Sequence, residues 1–304
     1  MSQIFKNIEK QLLFERDGYV VIDFISAEDA KLMATKFYEQ HTNVPDGFYA
    51  ASCNPDDKFK QDILNHTQEF FFEAIERNFK NYKVLGGTYL CKAPGEIGKV
   101  HVHQDWYVVD EQQFQSATIW VPTADTTEKN GTLRVLPGSH RFFNYYRSPN
   151  IEFCYKNIQE HIWENMMTVP VKAGQAFVLN HAVLHASSAN KSDRERLVVA
   201  YAVTSKNANL CFYHSEKDDY VREVEKFNMP DDFFQLYYNT GERPLFGESL
   251  GKFPYTITQV DEPTIKQLIT HERRVRQHIP YFINNWKAPR TTNKFLKNLL
   301  TKFY

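Results

Sequence analysis

Hydrophobic and polar positions follow two different periods along the 304 residues of this chain. Over residues 1–82 the spacing is mostly helical. Ile4, Phe5, Ile8, Leu12 and Leu13 recur three to four residues apart, as one face of an amphipathic helix requires. The apolar run from Gly18 to Ile25 interrupts them and predicts a strand, and Ser26 ahead of Ala27-Glu28-Asp29 predicts a helix cap. Leu32, Met33 and Phe37 mark the buried face of the helix that follows. A further helix is expected over 67–79, carrying Phe70, Phe71, Ala74, Ile75 and Phe79. From residue 83 the period falls to two. Strands are expected at 83–92, 100–109, 116–123, 131–136, 167–172, 175–180, 182–188 and 195–205. Turn residues separate them, among them Pro94-Gly95, Asn130-Gly131, Pro137-Gly138 and Ala173-Gly174. Eight short strands without intervening helices predict a mainly β core, closed and antiparallel: a double-stranded β-helix, or cupin-like jelly roll.

The stretch 141–166 breaks that rhythm with Phe, Tyr and Trp, and is expected to form part of a pocket or a lid over one. Beyond 206 the pattern turns mixed and helical, with helices expected at 216–228 and 262–278. No linker or repeat divides the chain. One domain over 1–304 is therefore expected, with a helical region 1–82, a jelly-roll core 83–205 and a helical extension 206–304. Residues 293–304 place Phe295, Leu296, Leu299, Leu300 and Phe303 opposite Lys294, Lys297 and Lys302. Such a helix can rest on a membrane or a partner, but packing against its own domain is the ordinary use.

Composition excludes several classes. With 42% hydrophobic and 24% charged residues the chain is neither disordered nor collagen-like. A formal charge of −1 supplies no general attraction to nucleic acid. No window reaches the roughly 18 apolar residues of a membrane span, and the N-terminus lacks the apolar core of a signal peptide. Cys53, Cys91, Cys154 and Cys211 form no metal-binding spacing, and scattered thiols suit a reducing cytoplasm.

The chemistry concentrates in two places. In Val100-His-Val-His-Gln-Asp105, residues two apart share a strand face, so His101, His103 and Asp105 project together. An imidazole beside a carboxylate can start a divalent metal site, but by itself the tripeptide is weak support. His181 and His185 are both available as the missing ligand, and Arg194 and Arg196 follow at the start of the last core strand. Two histidines and one carboxylate leave open positions on Fe(II) for a bidentate cosubstrate and oxygen. An arginine fork suits a dicarboxylate.

These pieces, taken in order, resemble the phytanoyl-CoA dioxygenase family of Fe(II)- and 2-oxoglutarate-dependent oxygenases. The resemblance runs over most of residues 14–202 and rests on four segments: 14–22, His103-Gln-Asp-Trp106, 130–141, and 185–196. It implies His103, Asp105 and His185 as iron ligands and Arg196 as the cosubstrate arginine, with Arg194 as runner-up. Trp120 and Ser187 fall where such pockets find further contacts. Fe(II), 2-oxoglutarate and O2 are the implied reactants, with succinate and CO2 released as a C–H bond is hydroxylated. Asp105 favours hydroxylation over halogenation, since related halogenases lack that carboxylate. The expected substrate is a small molecule or natural-product intermediate, free or carrier-bound. A peptide or protein side chain comes next and an acyl-CoA third. A metal-binding cupin module without turnover is the non-enzymatic alternative. The remaining candidates have ordinary readings: His101 and His181 as neighbours of the site, His140 as a turn residue, His271 and His278 on a solvated helix, and Lys92 and Lys99 as exposed lysines.

Overall fold

In the computed structural model, residues 3–41, 44–143, 145–216, 222–236 and 241–285 are described. The chain begins with α1 (Ile8–Asp17), β1 (Tyr19–Asp23), α2 (Ala27–Gln40), β2 (Phe48–Ala50) and α3 (Asp57–Asn78). The expected caps are present. Ser26 Oγ accepts from the Asp29 amide at 3.0 Å and starts α2. Gly18 ends α1 at φ 77°, where a Cβ would also lie only 2.6 Å from His140 Nδ1.

The core strands follow: β3 (Tyr82–Lys92), β4 (Val100–His103), β5 (Ser116–Pro122), β6 (Leu133–Val135), β7 (Met167–Thr168), β8 (Gln175–Asn180), β9 (His185–Ser187) and β10 (Arg196–Ser205), with α4 (Gln159–Asn165) between β6 and β7. All eight expected strands exist. They form a six-stranded antiparallel sheet, β1-β8-β5-β10-β3-β2, and a four-stranded one, β4-β9-β6-β7. The alternation then explains the layers. Cys91, Ile119, Val178 and Val199 point outward and pack on Phe14, Phe37 and Phe71 of the three helices. Trp120, Phe177 and Val198 point inward and meet Leu133, Val135 and Val183 across the sandwich. This is the expected jelly roll.

Two expectations need correction. The segment 141–166 is not a lid. Tyr145, Tyr155, Ile158 and Ile162 pack on Val102, Leu184 and Ala186, covering the outer apolar face of the four-stranded sheet. The extension 206–304 is not simply helical. It builds a third antiparallel sheet from β11 (Leu210–Ser215), β12 (Arg222–Met229) and β13 (Glu248–Tyr255), with a short α5 (Phe233–Leu236) between the last two. The helix expected over 216–228 is therefore a strand where it is described. Helix α6 (Glu262–Asn285) matches the second expected helix and runs longer. Its Ile265 and Ile269 join the Tyr155 cluster. Residues 293–304 lie outside the described residues. Among those described, no helix is long and apolar enough to cross a membrane.

Candidate metal centre

His103 and His185 face each other as register partners where β4 meets β9, with ring centroids 4.1 Å apart. Asp105 does not share their sheet: β4 ends at His103, and the chain turns away. Its carboxylate still reaches the pair, with Oδ1 3.7 Å from His185 Nε2. One ligand atom from each of the three lies within 4.8 Å of the others. Both histidines are fixed in the same way. His103 Nδ1 donates to the His101 carbonyl at 2.8 Å, and His185 Nδ1 to the Val183 carbonyl at 3.0 Å. Each Nε2 therefore keeps its lone pair for a ligand bond. Burial, reinforced by His185, pushes His103 down to about 4, so its ring is neutral at physiological pH.

Asp105 is held at its carboxylate and at its backbone. Thr118 on β5 donates to Asp105 Oδ2 at 2.9 Å. Arg147, buried beneath, donates from Nε to the Asp105 carbonyl at 2.8 Å and pairs with Glu111. Burial alone would raise the Asp105 pKa. His185, His181, His103 and the Thr118 hydroxyl outweigh it and hold the group below the usual carboxylate range.

A cavity of about 270 Å³ opens on this triad. One end holds Arg196, Trp120 and Ser187. Arg196 is buried on β10, its guanidinium 5.2 Å from the Trp120 ring centroid. Its Nε has no hydrogen-bond partner. A buried guanidinium at a cavity wall, with one nitrogen left unpartnered, is an unmet demand for an anion. Arg194, by contrast, is exposed before the strand begins and does not line the cavity. The rest of the lining is largely apolar, with Leu85, Trp106, Val108, Ala202 and Phe234, joined by Ser52, Thr88 and Gln235. His181 also lines the cavity. Among the described residues of 141–166, none does.

The donor set fits a divalent ion of the iron type: two imidazoles and one carboxylate on the wall of a cavity, with room beside them. Sequence reasoning brought these ligands together, as well as Arg196, Trp120 and Ser187. It missed Thr118 and Arg147, and its reading of Lys92 as an exposed lysine needs correction: the side chain is buried, bonded to Ser187 and the Ser188 carbonyl. Thr118 had a readable signal, since its position in β5 shares the parity of Trp120. His101 is exposed, and Lys99 is exposed over the Trp163 ring at 4.3 Å.

The model for Phytanoyl-CoA dioxygenase (PhyH) matches residues 14–198, more than half of the chain. The chain belongs to the phytanoyl-CoA dioxygenase family. The chain is similar to a phytanoyl-CoA dioxygenase domain-containing protein 1 of Danio rerio, 30% identical over 131 residues that cover 40% of this chain and 45% of that protein. It is also similar to a phytanoyl-CoA dioxygenase of Arabidopsis thaliana, 24% identical over 57% of this chain and 60% of that one. The chain thus spans less than two thirds of the length of these curated relatives. Among solved structures it is similar to HygX from Streptomyces hygroscopicus with nickel and 2-oxoglutarate bound, at 14% identity and a TM-score of 0.48, covering 65% of this chain and 86% of that one.

Proposed function

We propose that this family member is an Fe(II)- and 2-oxoglutarate-dependent dioxygenase that hydroxylates an unactivated C–H bond of a small, largely apolar molecule or natural-product intermediate. The observation that carries the reading is the convergence of His103, Asp105 and His185 on one cavity that also contains a buried, anion-less arginine. His103, Asp105 and His185 would hold the iron. When bound, iron and 2-oxoglutarate supply the oxidising chemistry, in which O2 is consumed and succinate and CO2 are released. Arg196 meets the far carboxylate of the cosubstrate, with Trp120 stacked against the guanidinium and Ser187 beside it. The Nδ1 bonds keep both imidazoles in the ligating tautomer, and Thr118 fixes the rotation of the Asp105 carboxylate. The largely apolar part of the cavity receives the substrate and keeps water from the reacting centre.

Substrate class follows from the lining. Its ionisable residues, among those described, are His103, Asp105, His181, His185, Arg196 and Tyr201, of which Arg196 is the one permanent cation. Nothing there offers the several cations that the phosphates of an acyl-CoA require, which favours a substrate without phosphates. Free thiols at Cys53, Cys91, Cys154 and Cys211 support a reducing compartment such as the cytoplasm.

Incubation of the full chain with Fe(II), 2-oxoglutarate and O2 should yield succinate, stimulated by a library of apolar small molecules. Asp105→Ala should abolish both iron retention and succinate. If the wild-type chain retains no Fe(II) and produces no succinate across such a library, the proposal fails.

A further inference from the structure

Lys92 ends β3 with its side chain fully buried, at 0% exposure. Its Nζ donates to Ser187 Oγ and to the Ser188 carbonyl, both at 2.6 Å. Arg196 is its register partner across β10, so two basic side chains sit side by side on the inner face of one sheet, and burial together with the Arg196 charge pushes the Lys92 pKa down to about 6. Neither has a carboxylate partner among the described residues. A lysine that only braced β3 against β9 would be served equally well by a neutral donor, and a buried unpaired cation beside a second one is costly. The arrangement makes sense when an anion arrives between them.

The Ser187 hydroxyl shows where. An ammonium has three donors and no acceptor. With Lys92 as the donor, Ser187 Oγ accepts, and its own proton is left to point elsewhere. Ser187 lines the cavity beside Arg196. Two glycines let the lysine lie flat there: a Cβ at Gly98 would come within 3.0 Å of Lys92 Cγ, and one at Gly131 within 3.1 Å of Lys92 Cδ.

We propose that Lys92 is a positioning residue for the cosubstrate: acting through Ser187, it turns the serine hydroxyl into a donor aimed at the carboxylate that Arg196 meets. This rests on the functional reading above. It assigns to Lys92 the discrimination between a 2-oxo diacid and a 2-oxo monoacid.

The test is calorimetric binding to the full chain loaded with Fe(II) without oxygen. The probes are 2-oxoglutarate and 2-oxovalerate, which keeps the keto-acid end and lacks the far carboxylate. Lys92→Met should weaken 2-oxoglutarate binding about 10- to 100-fold, the range of a hydrogen bond to a charged group. It should leave 2-oxovalerate binding within about twofold and iron retention intact. In turnover the loss should appear as a raised KM for 2-oxoglutarate, with kcat recovered at saturation. Should Lys92→Met not fold, Lys92→Leu also removes the donor to Ser187 and carries the same comparison. Equal binding of 2-oxoglutarate by variant and wild type, or an equal loss for both probes, overturns the role of Lys92 alone. Failure of the wild-type chain to bind 2-oxoglutarate overturns the functional reading with it.

Discussion

At the scale of single residues, the site depends on groups that hold other groups. The His103 and His185 rings are each tied by Nδ1 to a carbonyl two residues back, so backbone shape sets which nitrogen faces the cavity. Asp105 relies instead on one side-chain hydroxyl. Thr118→Val keeps the shape of the residue and removes its bond to Oδ2. Losing such a partner costs about 10- to 100-fold in metal affinity. Iron titration of this variant should show a loss in that range with the fold intact, and an unchanged affinity would mean that Thr118 does not orient the ligand. The two arginines separate as cleanly. Arg196→Ala should raise the 2-oxoglutarate requirement while iron stays bound. Arg194→Ala, at an exposed position, should leave both unchanged; the opposite pattern would reverse the assignment.

At the scale of elements, what could be read in advance depended on whether one period governed a segment. β3, β5, β8 and β10 keep a strand period over nearly all their length, broken by one register shift at Ala202/Val203, because each buries one face on helices and the other in the sandwich, and all four were legible. The expected strand 100–109 stops at His103, because the chain beyond it is held by Arg147 rather than by a neighbouring strand: Tyr107 N bonds the Arg147 carbonyl, and Arg147 Nε the Asp105 carbonyl. No local pattern announces a partner 42 residues away. β12 misled for a different reason. Val224 and Phe227 are both buried and three apart, which reads as a helix. Unbroken register with β11 puts them on opposite faces of a strand, and both faces are covered: Val224 packs with Tyr107 and Tyr213, Phe227 with Leu210 and Phe233. The same segment around Asp105 gives a prediction. Arg147 is 1% exposed and Glu111 is its ion-pair partner. Glu111→Leu would strand a buried guanidinium, which costs about 3–5 kcal/mol. Thermal denaturation should show a loss of that order together with weakened iron binding; a stability equal to wild type would show that the pair bears no strain.

At the scale of the whole molecule, the jelly roll is closed at one corner by contacts distant in sequence, and that corner sets a pH dependence. His140 sits in the turn after β6 with Nε2 3.0 Å from the Glu15 carbonyl of α1 and 2.9 Å from Arg141 Nη1. Arg141 also pairs with Glu272 of α6, and Arg276 of α6 bonds Asp17 of α1 at 2.7 Å. One turn thus joins the first helix to the last described one. Burial, then the Arg141 charge, drives His140 down to about 3, against a weaker opposing effect of the Glu15 carbonyl. The folded chain therefore holds the ring neutral, whereas the unfolded chain protonates it near 6.5. The unfolded state binds more protons between those values. The stability from this joint is fully present above about pH 6.5 and is lost as pH falls toward 3, by at most about 1.4 kcal/mol per pH unit. His103 and His181, both near 4, act in the same direction, so wild-type acid sensitivity alone identifies no residue. His140→Gln does, because glutamine keeps a polar group at the turn and cannot titrate. Its melting temperature should fall less steeply than that of wild type between pH 6.5 and pH 5, the two curves converging as acid is added. Parallel curves would place the acid sensitivity in the metal-centre histidines instead and leave the joint between α1 and α6 indifferent to pH.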